Sequence, residues 1–323
     1  MMQLAIVILN YKTPQLVIDC LHSLVSEVDP TNHRVIVVDN ASNDGSVDKI
    51  QGAIATNAWS SWAEVLPSDV NGGFSAGNNL GLKAIDAQTY LLLNSDTIVR
   101  PGAIATLLET MQAHPEAGLI SPRLEWPDAT PQISCFRYQS PFSEFIGSAD
   151  TGFLTKLLSN FHVPLPIAEQ PCEPEWTSFA CVLIRKEVVD QIGFMDEGYF
   201  MYFDDIDYCR QARNAGWNIL HNPAARVVHL RGGSGSVKSD IANRKRPRPY
   251  LYASRSRYFA KYYGPLGLFL ANGMWLLGRS ISLCRELLGK KESQHICDHM
   301  AQDIWMNWLN PLKPALIPGK GNQ

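Results

Sequence analysis

Short apolar runs punctuate the chain, and stretches with an apolar residue every three or four positions lie between them. Residues 4–9 and 90–93 are continuous apolar or aromatic runs, too short for buried helices and suited to strands covered on both faces. Residues 34–38 read as another strand. Between the first two strands, Thr13-Pro14 opens a helix whose stripe is Leu16, Val17, Cys20, Leu21 and Leu24. That strand–helix–strand order predicts a parallel sheet. Further strands are expected at 65–66, 118–121, 176–185 and 226–230. Helices are expected at 103–113, at 186–192 and from Asp204 to Asn214. The fold class is α/β: a mostly parallel sheet flanked by helices, with a C-terminal helical extension.

Two regions depart from this rhythm. Residues 122–175 are rich in Pro, Ser and aromatics, and such an excursion inside a compact domain has the character of a substrate-facing segment. Beyond residue 240, seven basic residues and no acid fall between Ile241 and Lys261, and a mostly apolar stretch with Trp275 follows, then Arg279, Arg285, Lys290 and Lys291. The expected organisation is a domain at 1–240, containing the excursion, and a basic and apolar extension at 241–323.

Polar groups gather where the predicted strands end: Asn10-Tyr11, Asp39 and Asn94-Ser95-Asp96. In open α/β sheets ligands sit at the carboxyl ends of strands. The same residue types build turns and cap helices, so Asp39 and Asp96 each carry two readings here. Asn71-Gly-Gly-Phe-Ser-Ala-Gly-Asn-Asn-Leu-Gly81 holds four glycines in eleven residues. It is expected to be a loop whose backbone N–H groups approach a ligand, followed by a helix that offers its N-terminus to an anion. Asp204, Asp205 and Asp207 read either as N-cap and first-turn acids that suit the helix dipole or, being more than a cap needs, as a cluster of which one member, Asp205 foremost, serves acid–base chemistry. His229 reads either as a ligand group or as a packed, hydrogen-bonded residue.

Composition narrows the classes. A hydrophobic fraction of 46% and a charged fraction of 18% are those of a globular protein, and a net charge of −3 gives no argument for nucleic acid. The seven cysteines are scattered without a C-x-x-C, so free thiols in a reducing compartment are expected, with neither a disulfide framework nor a zinc site. The first residues lack the basic start of a signal peptide and read as a strand. No apolar run reaches the ~18 residues of a membrane span. A cytoplasmic protein is expected.

Two nucleotide motifs are excluded. A dinucleotide fingerprint needs G-x-G-x-x-G after the first strand, where Asn10-Tyr11-Lys12 stands. A P-loop needs G-K-[ST], and Gly235-Ser-Val-Lys238-Ser239 has Val237 before its lysine.

Taken together, six stretches resemble the family 2 glycosyltransferases of the GT-A fold, in particular the rhamnosyltransferase-like branch. They are Val7-Ile-Leu-Asn-Tyr11, Val38-Asp-Asn-Ala-Ser-Asn-Asp-Gly-Ser46, Asn71 to Asn79, Leu93-Asn-Ser-Asp-Thr97, Met195 to Asp207 and His229-Leu-Arg-Gly-Gly-Ser234. The resemblance implies that Asn10, Tyr11, Asp39, Asn78 and Asn94 surround a nucleotide-sugar. It further implies that Asp96 coordinates Mg²⁺ or Mn²⁺ on the donor diphosphate and that His229 reaches the same metal. Asp205 matches the general base toward the acceptor hydroxyl, and transfer inverts the anomeric carbon. Two departures stand out: Asn94 occupies the place of the first acid of a D-x-D motif, and Phe179 stands where many relatives have glycine.

Elementary chemistry agrees with that assignment. A departing nucleoside diphosphate needs its developing charge neutralised, which a hard divalent cation does as a Lewis acid. On the opposite face a carboxylate accepts the proton of the attacking hydroxyl. A sugar-1-phosphate nucleotidyltransferase is the alternative enzyme, but it calls for a Gly-rich basic loop after the first strand. An inactive glycan-binding scaffold is the non-enzymatic alternative; it predicts indifference to Asp205→Asn.

The extension has two readings. Its basic and apolar composition suits a helix lying on anionic lipid at the inner face of the cell membrane, which a lipid-linked acceptor would explain. Alternatively Leu266, Leu268, Phe269, Leu270, Trp275 and Leu276 pack on the catalytic domain or on a second copy of the chain, and the charges form a solvated face.

Overall fold

The computed structural model describes residues 1–231, 243–289 and 296–314. The expected boundary at 240/241, the Gly232-Gly-Ser-Gly-Ser236 segment after His229, Lys238, and Lys290-Lys291 lie outside the described residues. In chain order the first elements are β1 (Met2–Asn10), α1 (Pro14–Leu24), β2 (His33–Asp39), α2 (Ser46–Thr56) and β3 (Ala63–Pro67). Next come α3 (Gly73–Ala84), β4 (Ala87–Asn94), β5 (Thr97–Val99), α4 (Ala103–Ala113) and β6 (Ala117–Glu125). They are followed by β7 (Cys135–Phe136), α5 (Pro141–Ala149), α6 (Gly152–Leu157), β8 (Trp176–Thr177) and β9 (Cys181–Arg185). The last are α7 (Lys186–Ile192), α8 (Asp204–Asn214), β10 (Asn218–His229), α9 (Pro249–Leu287) and α10 (Met300–Asp303).

The chain divides into two compact units. One comprises residues 1–136, 166–197 and 205–231; the other comprises 137–165, 198–204 and the described residues from 243 onward. The first unit is built on an eight-stranded sheet of order β3-β2-β1-β4-β9-β6-β10-β5. β1 pairs in parallel with β2 and β4, and β6 with β10, while β9 runs antiparallel to β4 and β6 and β5 antiparallel to β10. The continuous apolar runs account for this: Leu4 to Ile8, Val35 to Val38 and Leu91 to Leu93 are almost completely buried, as strands covered on both faces must be. Val17, Ile18, Cys20, Leu21 and Leu24 turn the apolar stripe of α1 onto that core.

Two expectations are corrected. The glycine-rich stretch is no loop: α3 begins at Gly73, and Gly77 and Gly81 lie inside it. An added Cβ would come within 2.3 Å of Leu9 Cδ1 at Gly77 and within 2.3 Å of Val7 Cγ1 at Gly81. These glycines serve the close approach of helix to sheet. The single strand expected at 176–185 is broken: β8 pairs with β7, and β9 enters the main sheet after the turn at Ser178 to Ala180. By length and composition alone α9 would suffice to cross a membrane, and the sequence has no unbroken apolar run of that length.

Glu125, at the end of β6, accepts two bonds from Arg226 in β10 at 2.8 and 3.0 Å and one at 3.0 Å from Arg100, which follows β5. Burial pushes its carboxyl upward, but the Arg226 and Arg100 guanidiniums more than offset this and hold it below the ordinary range. The clamp ties together the strands on which Asp96 and His229 depend. The seven cysteines are free thiols, and burial pushes Cys20 up to about 12 and Cys181 and Cys209 higher still.

In the second unit, α5 opens with a capping box between Ser140 and Ser143 and Pro141 in its first turn. The helix α9 packs along α5, and a Cβ at Gly278 would meet Phe145 O at 2.4 Å. Arg255 donates to Glu144 at 2.8 Å and to Asn272 at 2.7 Å, all three on the packed side. Arg246 forms a two-bond pair with Asp303 at 2.9 and 2.7 Å. The basic run is therefore not uniformly a solvated face, since Arg246 and Arg255 are consumed in internal pairs.

Candidate active site

The parallel register sets Asn10 beside Asp39 at the carboxyl ends of β1 and β2. Asn10 Nδ2 donates to Asp39 Oδ1 at 2.6 Å and to Ser42 Oγ at 3.2 Å, while the Ser42 N–H donates to Asp39 Oδ2 at 3.0 Å. Both carboxylate oxygens are satisfied and Asp39 is buried, as a buried charge requires. The turn after β2 bends through left-handed backbone at Ala41 and Asn43, a local strain of the kind ligand-holding turns carry. Asn40 donates to Asn71 Oδ1 and Gly73 O and accepts from the Gly72 N–H, which fastens this turn to the start of α3. Tyr11 stands exposed beyond the end of β1, with Lys12 Nζ 5.3 Å from its ring centre.

On the other side of β1, β4 ends at Asn94 in register with Leu9. Thr13 Oγ1 bonds both Asn10 Oδ1, at 3.2 Å, and Ser95 Oγ, at 3.3 Å, so the tips of β1 and β4 are joined by side chains. Asp96 is buried in the turn between β4 and β5, and its carbonyl accepts from the Leu230 N–H. His229 Nε2 lies 3.5 Å from Asp96 Oδ1. Its other nitrogen, Nδ1, is buried and has no hydrogen-bond partner among the described residues. Behind it, Gln132 donates to His229 O at 2.7 Å and accepts from Arg231, whose guanidinium also reaches Ile133 O.

A carboxylate and an imidazole at this separation suit adjacent positions around one hard divalent cation with bonds of ~2.0–2.1 Å. Among the described residues no group of three His, Cys, Asp or Glu could hold a metal. The pair fits a cation that takes its remaining oxygens from elsewhere, such as phosphate or water.

The remaining candidates fall on helices. Asn78 is buried within α3 and donates one of its two amide hydrogens back to Phe74 O at 2.9 Å. Its neighbour Asn79, which sequence reasoning passed over, pins the Met195–Glu197 segment: it donates to Met195 O and Glu197 Oε1 and accepts from the Met195 N–H. Asp205 occupies the first turn of α8, partly exposed, and its Oδ1 accepts from the Ile206 N–H at 2.9 Å. Tyr208, Cys209 and Ala212 are core, and Phe179 packs edge-on against Tyr208. The structure thus joins Asn10, Asp39 and Ser95 in one bonded group and pairs Asp96 with His229, while Asp205 stands on a separate element. Ser42, Thr13 and Gln132 were also missed; nothing marks such residues except the partners the fold gives them.

Comparison with known proteins gives a consistent picture. The family model Glycosyl transferase family 2 matches residues 5–153, and Glycosyltransferase like family 2 matches residues 173–263. N-acetylglucosaminyl-diphospho-decaprenol L-rhamnosyltransferase of Mycobacterium tuberculosis is 28% identical over 220 residues, 62% of this chain and 67% of that protein. The low-salt glycan biosynthesis hexosyltransferase Agl10 of Haloferax volcanii is 27% identical over 232 residues, 70% of this chain and 66% of its own length. The mannosyltransferase PcManGT of Pyrobaculum calidifontis, solved with GDP-Man and Mn²⁺, superposes with a TM-score of 0.58 at 14% identity, covering 90% of this chain and 76% of that one.

Proposed function

The chain belongs to the family 2 glycosyltransferases, rhamnosyltransferase-like and of the GT-A fold, and from that premise we propose that it moves a sugar from a nucleotide-diphosphate donor to a lipid-linked glycan in surface polysaccharide synthesis, with inversion. One observation carries the reading: Asp96 and His229, 3.5 Å apart, stand beside the polar tips of β1 and β4. Asp96 Oδ1 and His229 Nε2 would hold Mg²⁺ or Mn²⁺, which supplies charge neutralisation for the departing diphosphate.

The other roles follow from position. Asn10 and Ser42 hold Asp39 with both oxygens fixed, so the carboxylate keeps one orientation toward a ribose hydroxyl. Tyr11 is exposed beside it and offers a ring face to a base. Asn94 leaves Asp96 as the only carboxylate of the motif. Asp205 accepts the proton of the acceptor hydroxyl as its oxygen bonds the anomeric carbon; the bond from that carbon to the diphosphate oxygen breaks, the nucleoside diphosphate departs, and the proton remains on the Asp205 carboxyl. A single displacement of this kind inverts the anomeric carbon and needs no protein nucleophile. A lipid-linked acceptor is supported by the diphospho-decaprenol in the name of the mycobacterial relative.

The test is thermal unfolding with UDP, dTDP or GDP, each with and without Mn²⁺. One nucleotide is expected to stabilise the protein more strongly with the metal, and Asp96→Asn is expected to abolish the metal-dependent part. No stabilisation by any nucleotide would sink the reading.

A further inference from the structure

The second half of α9, from Pro265 to Leu287, has two faces of opposite chemistry. One is packed: Leu268, Ala271, Asn272, Trp275, Gly278 and Ser282 are buried. The other leaves Leu266, Phe269, Leu277 and Leu287 at 70, 49, 53 and 80% exposure. These positions follow the helical repeat and form one apolar stripe about 30 Å long. Phe269 meets the rings of Trp305 and Trp308, each at 6.2 Å, and the stripe continues onto Trp308 and the 89%-exposed Leu309. A contiguous apolar surface of this length calls for a partner.

Charge identifies that partner. Residues 243–264 contain no acid, and Lys245, Arg248 and Lys261 among them are exposed. The charged groups within 265–288 are Arg279, Arg285 and Glu286. Arg279 pairs with Glu286 at 2.7 Å, and Arg285 donates to Asp150 O at 2.6 Å. The sole acid of this segment is thus taken, so a second copy would bring no free carboxylate from its own α9 to meet the cations. An anionic lipid headgroup would. The helix cannot span the bilayer in this arrangement, because its packed face carries Asn272 bonded to Arg255, itself paired with Glu144.

We infer that this face of the second unit docks on an anionic lipid bilayer, with α9 lying in the interface plane, Leu266, Phe269, Leu277 and Leu287 at the headgroup–acyl boundary, and the exposed Lys245, Arg248 and Lys261 against the headgroups. This stands independently of the sugar-transfer reading.

The experiment is flotation of the full chain with vesicles of phosphatidylcholine, alone or mixed with phosphatidylglycerol, at low and high salt. Binding to the mixed vesicles at low salt is expected, with weakening by salt and a blue shift of tryptophan emission. Leu266→Glu/Leu277→Glu/Leu287→Glu is expected to weaken vesicle binding roughly tenfold or more, and Lys245→Glu/Arg248→Glu to remove most of the preference for phosphatidylglycerol. Should the triple variant fail to fold, Leu266→Glu and Leu287→Glu singly, both at strongly exposed positions, serve instead. A chain left in the soluble fraction at low salt, or variants that float as well as the parent, overturns the inference. So does a dimer in sedimentation velocity that the leucine variants dissociate, which would assign the stripe to a second copy.

Discussion

His229 Nε2 faces Asp96 Oδ1 at 3.5 Å across the antiparallel pairing of β10 with β5, where His229 is in register with Thr97. If these two groups hold the proposed divalent cation, one carboxylate and one imidazole would leave its shell incomplete without donor phosphate oxygens. Calorimetry is expected to show weak Mn²⁺ binding to the free protein and tighter binding with nucleotide present. His229→Ala should weaken the nucleotide-dependent component by roughly tenfold or more. Equal affinity with and without nucleotide would contradict this.

The Asn10–Asp39 contact gives a second expectation. Asn10→Ala removes one donor from a buried carboxylate and should cost about 1–3 kcal/mol in urea unfolding. Asn10→Asp places a second carboxylate against Asp39 and should be more destabilising at neutral pH, with partial recovery in mild acid as one of the two takes a proton. Equal stability of the two variants at pH 7 would count against the contact.

Gly77 and Gly81 should respond differently to alanine. Gly81 faces Val7, which is fully buried and stiff at its branched carbon, so overpacking should cost about 1–3 kcal/mol. Gly77 faces the flexible end of Leu9, which is only partly buried, and the better helix propensity of alanine, worth ~1 kcal/mol, should offset much of the strain. Unfolding free energies of the two single variants decide the matter; the order Gly77→Ala below Gly81→Ala in stability would refute it.

Acid should destabilise the first unit through His221. This ring is buried, bonded to Ser121 Oγ at 3.1 Å, and burial pushes its pKa down to about 4 from 6.5. The unfolded chain therefore binds the proton first. The stabilisation is fully present above pH 6.5 and lost as the pH falls toward 4, about 3 kcal/mol over that window. His33 is shifted in the same direction by burial. Unfolding free energy measured from pH 7 to pH 4 should fall accordingly, and His221→Gln should flatten the slope.

Much of the sheet was legible because its strands are buried on both faces and write themselves as unbroken apolar runs. The tips were legible for the same reason: Asn10, Asp39 and Asp96 are polar residues at the point where such a run stops. Other features depend on partners far along the chain. Glycine serves both loops and tight packing, and only Val7 and Leu9, some seventy residues earlier, reveal that Gly77 and Gly81 belong to a helix. Similarly, α5 lies in a Pro- and aromatic-rich segment and has α9 as its packing partner, while Arg255 finds Glu144 111 residues away. The bond from Asn78 to Phe74 O follows only once the glycine-rich stretch is known to be helical. Gln132 supports His229 from within the excursion, where no periodicity singles it out.

Gly264 interrupts α9 with φ 70° and ψ −179°, a backbone state that suits glycine, and Pro265 follows it. In an unbroken helix, Leu266 would follow Arg255 by eleven residues, about 20° from the same azimuth at 3.6 residues per turn. Arg255 is 6% exposed and Leu266 is 70% exposed. The break therefore resets the rotational phase of everything after it: without it, the side that now holds Leu266 and Phe269 outward would turn toward α5. The side of this helix that meets solvent thus depends on the Gly264–Pro265 break, and a side chain at position 264 would strain the backbone state on which that phase rests, without touching any residue of the stripe.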